Sequence, residues 1–592
     1  MASATTVAAW LAVSSLLLYT MRGLYRTFVG PLFSPLRDVP GPSPQNWMYG
    51  NIKESRRLTR AVAQTQWMQQ YGYIFTTWSF FGSQRLFLGD SRGIGHVISD
   101  PTNYHKPPLG RYIAGQIIGE GSFTVEAEHE HQRRVLNPAF GVAQIRELLP
   151  IFLNKSAQLR DFWKARIAEN GSSRTVVDIM GGLQLVTLDI IGLAGEHDVR
   201  FSLDTLNPPD DLETREFTDA LRVLTNGPAP GLMTVTRGIL PLLRAIPTPR
   251  TRRIAEAREV LNRIGGKLIK ERTRSVLGDV NQEQLERDDA KGKDILSLLV
   301  RANLATDLHE KYRLSDEDML SQIPTLLVAG HETTRSAVTW DLYSLSWGLH
   351  SLSKSQMIQD KLRAELRGCI NAHGPAPSVE ALNDLPYLDM FVREVMRLHC
   401  PVSSTLRVAM KDDFIPTDHK WTDIHGVKRS GVRVAAGDSV FLPIEMLNTS
   451  VSIWGKDAAE FRPERWENPP DGVQAVPGVW GNSLSFLGVS DILQFVPSAE
   501  RTVNAVIGSS RIHWVSFFAA RARLHLAIFD LSLTPHRMKA LFFTLVSTLR
   551  FENALDPENI TRQFMVVTRP FIKDDESNGT QLPMYVSLVD DE

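Results

Sequence analysis

Cysteine is nearly absent: Cys369 and Cys400 are the two in a chain of 592 residues. Two such residues exclude a disulfide framework and a CxxC metal clip, and a reducing compartment is the natural setting. A basic surplus is also missing. Lys and Arg number 65 against 66 Asp and Glu, a net charge of -1, which argues against nucleic acid as the main partner, because phosphate binding draws on a basic face. No internal repeat is visible. What is present is ordinary globular material, 43% hydrophobic and 22% charged, enough to build a core and not a disordered chain.

One long apolar run opens the chain, Val7 to Met21, "VAAWLAVSSLLLYTM", followed by Arg22 and Arg26. Crossing a bilayer takes about 20 apolar residues, so the run is marginal alone and adequate from Ala4 to Leu24. A cleaved signal peptide is the rival, but its basic start is missing and the positive charge follows the run. The expectation is therefore a single-pass anchor over residues 1–26 with the main body on the cytoplasmic side. Residues 27–50 follow as a proline-rich lead, in which Pro40, Pro42 and Pro44 hold the backbone extended. A stiff spacer and an ordinary turn both fit it.

Residues 51–592 read as one large, mainly α domain with small, mostly antiparallel sheets. "YIFTTWSFFGSQRLFLGD" (73–90) has the β-branched and aromatic content of a hairpin around a Gly-Ser turn. "AQIRELLPIFLNKSAQLRDFWKARI" and "IAEAREVLNRIGGKLIKERTRSVL" carry apolar residues at helical spacing. The charged stretch from Gly278 to Asp294 reads as an exposed loop. Strand-like pieces return over 405–443 and in "QFMVVTRPFI".

The segment Met319 to Leu349 is too apolar for a surface helix and should cross the core. Its middle holds Ala329, Gly330, His331, Glu332, Thr333 and Thr334. Small residues make a notch there, and a Thr hydroxyl can bond back to the preceding turn and bend the helix. Such a notch with an acid beside it could admit a flat ligand and deliver protons; a ligand-free kink is the other reading. Zinc is excluded, since HExxH needs a second His where Arg335 stands.

"AGHETT" resembles the central-helix signature of the cytochromes P-450, the haem-thiolate monooxygenases. Two further motifs agree in order. "REVMRLHCP" places Glu394 and Arg397 one helical turn apart, and "EFRPERW" contains Arg465. The resemblance implies that Glu394, Arg397 and Arg465 form a buried ionic triad, although an isolated ExxR would read as a surface pair. It also implies that His129 and Arg133 of "EHEHQRRVLNPAF", with Arg407 of "STLRVAMKDD", bind the propionates of haem b (heme, iron protoporphyrin IX), by charge-assisted bonds. Ala329 and Gly330 would face the porphyrin, and Glu332 and Thr333 would run the proton relay. The implied fold is that of the cytochromes P-450. The implied function is oxidation of a lipophilic small molecule with O2 and electrons from an NADPH-cytochrome reductase at the endoplasmic reticulum membrane, in fungal secondary metabolism.

The metal ligand is missing. The family's loop runs Phe-x-x-Gly-x-Arg-x-Cys-x-Gly. Phe486 and Gly488 open it here, and the text then departs through residues 489–537 with no cysteine beyond Cys400. Cys369 and Cys400 read as small apolar core residues. His513, His525 and His536 lie in the departing stretch, but imidazole lacks the thiolate's push for O–O cleavage. Val489–Ser490–Asp491 can be encoded by a sequence resembling an intron donor, and His536–Arg537 by one containing a YAG acceptor. Val489 to Arg537 is accordingly read as translated intron joined to a frame-shifted ligand exon. The rival to an active monooxygenase is a catalytically inactive, membrane-anchored chain of the same frame.

Overall fold

The computed structural model describes residues 29–52, 54, 60–118, 142–195, 212–225, 232–279, 338–400, 402–477, 483–485, 525–564, 568–573, 575 and 579–589, with Trp10, Ser14 and Met21 near the start. The helices that matter to the site are α1 (Val142–Glu169), α2 (Ile179–Gly195), α3 (Pro249–Asp279), α4 (Val338–Lys354), α5 (Gln356–His373), α6 (Pro386–Leu398), α7 (Ile444–Asn448) and α8 (His525–Val546). The two amphipathic stretches singled out from sequence lie inside α1 and α3. The central apolar segment appears as α4 from Val338 onward. Its notch, Ala329 to Thr334, lies outside the described residues, as do His129, Arg133 and the charged stretch 280–294.

The strands are β1 (Ile74–Trp78), β2 (Gln84–Leu88), β3 (Tyr104–His105), β4 (Arg174–Asp178), β5 (Thr405–Ala409), β6 (Asp413–Thr422), β7 (Lys428–Val434), β8 (Ser439–Leu442), β9 (Leu549–Asn553), β10 (Ile560–Phe564), β11 (Thr568–Ile572) and β12 (Pro583–Leu588). β1 and β2 form the expected hairpin, Ile74 opposite Leu88. Its turn passes through Phe81 and Gly82, both at positive φ, which glycine adopts without a Cβ clash. The hairpin belongs to a five-stranded sheet ordered β1-β2-β8-β5-β3, in which β2 and β8 run parallel and the other pairs antiparallel. β6–β7 and β10–β11 are two-stranded, and β4-β12-β9 make a three-stranded sheet.

The main core lies where α6 meets α4 and α8. Pro386 opens α6 at a position where no backbone donor is needed. Leu388, Phe391, Val392, Val395 and Met396 recur at helical spacing and are fully buried. They meet Met538, Leu541, Phe542 and Leu545 of α8 in one cluster. Phe391 and Phe542 pack edge to face, 4.9 Å between centroids, a favoured aromatic geometry. α4 approaches α8 at Gly348, where a Cβ would stand 2.6 Å from the Phe542 ring.

Among the described residues no helix is long and apolar enough to cross a membrane. Of the apolar run Val7 to Met21, all but Trp10, Ser14 and Met21 falls outside them. Cys369 is a buried residue of α5.

Candidate functional site

Glu394 and Arg397 sit three residues apart on the face that α6 turns inward, and both are fully buried. The spacing explains the pairing, since residues one turn apart on a helix are neighbours. Glu394 Oε2 accepts from Arg397 Nε at 2.9 Å and Oε1 from Arg397 Nη2 at 2.8 Å, a bidentate fork. Arg465, 2% exposed, points Nε at Oε1 from 3.5 Å. The Arg462 backbone N–H and the Trp466 indole N–H, each at 3.0 Å, also donate to this carboxylate. The triad expected from sequence is therefore assembled.

Ion pairs taken out of water need their remaining hydrogen-bonding groups satisfied, and here carbonyls do that. Arg397 Nη1 donates to the Asn448 and Ala458 carbonyls at 2.8 and 2.7 Å, and Nη2 to Glu460 at 3.2 Å. Arg465 donates to the Trp454 and Asp457 carbonyls at 3.1 and 2.7 Å and to Asp457 Oδ1 at 2.8 Å. That bond and charge hold the Asp457 carboxyl below its usual range. The Arg397 guanidinium also lies 4.9 Å over the Trp454 ring, a cation–π contact.

Asn448, at the end of α7, extends this network to the segment that precedes the departing text. Its Nδ2 donates to Ser485 Oγ at 3.0 Å, and its Oδ1 accepts from the Leu484 N–H at 3.2 Å. Ser485 Oγ donates in turn to the Met396 carbonyl of α6 at 2.8 Å. Ser483, Leu484 and Ser485 are all buried. The triad thus fixes the chain immediately before Phe486, where the ligand loop opens. Sequence reading marked that opening but found neither Asn448 nor Ser485 as its tether, because an Asn and a Ser far apart in sequence carry no motif.

Of the other expected site residues, Arg407 is half-buried on β5 opposite Val440. Its Nη1 donates to Thr405 Oγ1 at 2.8 Å and to the Leu406 carbonyl at 2.9 Å. Ala329, Gly330, Glu332, Thr333, His129 and Arg133 lie outside the described residues.

A sequence profile of cytochrome P450 matches residues 40–477. The chain belongs to the cytochrome P450 family. It is 41% identical to cytochrome P450 monooxygenase 205 of Postia placenta over 557 residues, 93% of each chain. With cytochrome P450 monooxygenase 128 of the same fungus the identity is 39% over 583 residues, 98% of this chain and 97% of the other. Ganoderic acid synthetase CYP5150L8 of Ganoderma lucidum is 29% identical over 77% of this chain and 83% of its own. The chain is thus an enzyme of P450 type. Cytochromes P450 bind haem as cofactor and use O2, a small-molecule substrate and a redox partner that delivers electrons.

The cysteines do not fit that cofactor as its ligand. A haem-thiolate centre needs a cysteine able to ionise. Cys400 is buried in a cluster with Leu36, Val440, Leu442 and Ile444, and burial pushes its thiol well above the ordinary value. Burial, with the nearby Glu365 carboxylate, also raises the Cys369 thiol, in the core beside α6. His536 meets Asn383 Nδ2 at 3.2 Å through its Nε2, so that nitrogen is engaged on the surface of α8. The profile match ends at residue 477, before the departing stretch begins.

Proposed function

We propose that the chain has the frame of a membrane-anchored, haem-dependent monooxygenase of a lipophilic small molecule, working in fungal secondary metabolism with an NADPH-cytochrome reductase. The single observation that carries this reading is the fully buried Glu394–Arg397–Arg465 triad, tied through Asn448 to Leu484 and Ser485. That arrangement spends several buried charges on fixing the start of one loop. The two Postia placenta relatives are both called monooxygenases, and one relative's name is ganoderic acid synthetase, which supports a secondary-metabolite oxidation.

In this reading haem b supplies oxygen activation when bound. Thr333, assisted by Glu332, would run the proton relay to dioxygen. Ala329 and Gly330 would face the porphyrin, and His129, Arg133 and Arg407 would bind its propionates. Residues 1–26 anchor the chain in the endoplasmic reticulum membrane, 27–50 lead away from it, and 51–592 are the catalytic domain on the cytoplasmic side.

A specific observation favours a second reading. No cysteine follows Cys400, and both thiols are buried and held protonated, so the chain as written keeps the frame without thiolate chemistry. Two proteins separate the readings: the chain as written, and the same chain with residues 489–537 replaced by a cysteine-bearing ligand loop. Reduced carbon monoxide difference spectra are expected to show a thiolate-type band for the second protein alone. Such a band from the first would overturn the statement that the ligand is missing. Its absence from both would sink the monooxygenase frame.

A further inference from the structure

Helix α6 ends in a second polar group, separate from Glu394. His399 caps it, donating its N–H to the Val395 carbonyl at 2.8 Å. Trp347 of α4 and Phe461 stack near-parallel to its ring, with centroids at 5.5 and 6.4 Å. The two ring nitrogens have different partners. Arg562 Nη2 lies 2.7 Å from Nδ1, and Ser351 Oγ lies 3.1 Å from Nε2. A guanidinium only donates, so Nδ1 must accept and the proton must sit on Nε2, donating to Ser351. Ser351 passes its own proton on to the Trp347 carbonyl at 2.8 Å. The order of donors is fully determined. Burial, with Arg562 next in effect, lowers the imidazole's basicity and keeps it neutral, as this order requires.

Arg562 belongs to β10, and β10 pairs only with β11 among the described residues. A two-stranded hairpin is marginally stable by itself, so its placement depends on what it is tied to. Ile560 and Phe571 are buried near its base. Arg562 adds the polar anchor: besides His399, it pairs with Glu445 at 3.2 Å in the first turn of α7 and lies 4.6 Å over Trp347. One side chain thus touches α4, the end of α6 and α7, the helix whose last residue, Asn448, holds Ser485.

We infer that Arg562 and His399 are positioning residues, whose hydrogen bond latches the β10–β11 hairpin to the junction of α4, α6 and α7.

Hydrogen exchange by mass spectrometry on the full chain tests the latch without haem or turnover, so a failure of the enzymatic reading leaves this result readable. Arg562→Met keeps the apolar stem and removes every donor; His399→Phe keeps the stack on Trp347 and removes the acceptor. Each is expected to speed exchange in peptides covering 560–572 by about tenfold, the loss of one charge-assisted bond, with peptides of α8 unchanged. The double variant should be no faster than the faster single, because both remove the same bond. Arg562→Lys, which can still donate to Nδ1, should restore most of the protection. Multiplying effects in the double variant, an unchanged hairpin, or equal loosening of α8 would each overturn the latch.

Discussion

Glu394→Gln isolates the charge at the centre of the triad with almost no change of shape. The carboxylate accepts from five donors: two from Arg397, one from Arg465, the Arg462 N–H and the Trp466 N–H. Oε1 takes three of them and Oε2 takes two. Whichever way a glutamine amide is turned, its NH2 therefore faces at least two donors and has nothing to donate to. Arg397 is left with three carbonyls and no carboxylate, whereas Arg465 keeps Asp457 at 2.8 Å. Breaking a buried pair on one side costs about 3–5 kcal/mol, a large part of the roughly 5–15 kcal/mol that holds a folded domain. Glu552→Gln is the internal control. Glu552 meets Arg174 at 3.1 Å with side chains 40% and 53% exposed, and exposed pairs contribute about 0–1 kcal/mol. Urea unfolding followed by tryptophan fluorescence, with the slope checked for constancy, should give a Glu394→Gln loss several times that of Glu552→Gln. Arg465→Met should fall between them, since the Glu394–Arg397 fork survives. Equal losses for the two Gln variants would refute the claim that burial makes this triad structural.

Gly348→Ala should destabilise by about 1–3 kcal/mol through overpacking against Phe542, although Ala is the better helix former by roughly 1 kcal/mol; a rise in melting temperature would contradict the close approach of α4 and α8. Burial pushes the buried imidazole of His350 from 6.5 down to about 3, with Lys354 and Arg562 adding to it. The folded state then binds fewer protons than the unfolded one between those values, so stability should fall as pH drops from about 6.5 towards 3, by about 1.4 kcal/mol per unit. His350→Gln should flatten that slope in urea midpoints measured at pH 7.5 and 5.5, and an unaltered slope would remove His350 as its source. In a form carrying a cysteine-bearing ligand loop, Thr333→Ala should consume NADPH with little product; coupling equal to the parent's would deny Thr333 its proton role. Transcripts sequenced across codons 489–537 should include a spliced form lacking most of this stretch, and an unspliced message as the sole mature form would rule out the intron reading.

What could be read from sequence follows the range of the interaction. Helices α1 and α3 are local patterns of apolar spacing, and the β1–β2 hairpin is local as well; all three were visible. The triad was visible because Glu394 and Arg397 share one turn and Arg465 stands in a recognisable segment. The sheet β4-β12-β9 was not, since it joins Arg174–Asp178 to strands beyond residue 548, although the alternation of exposed and buried residues in β4 carries a period of two. Asn448, Ser485, His399 and Arg562 were hidden for another reason. Each acts through one side-chain bond to a distant segment, and such a bond leaves no periodicity or spacing in the chain.

That difference in range also explains how the frame and the chemistry can part company. The charges of Glu394, Arg397 and Arg465 are neutralised by one another and by Asp457, and their other donors end on carbonyls between Asn448 and Glu460. Ser485 closes onto Asn448 and Met396. The packing of α4, α6 and α8 is completed by apolar side chains such as Leu388, Phe391, Met538 and Phe542. If residues 489–537 are translated intron, the source of the axial sulfur is lost there, while the pairs made by Glu394, Arg397, Arg465 and Asp457 lie among the described residues outside that stretch.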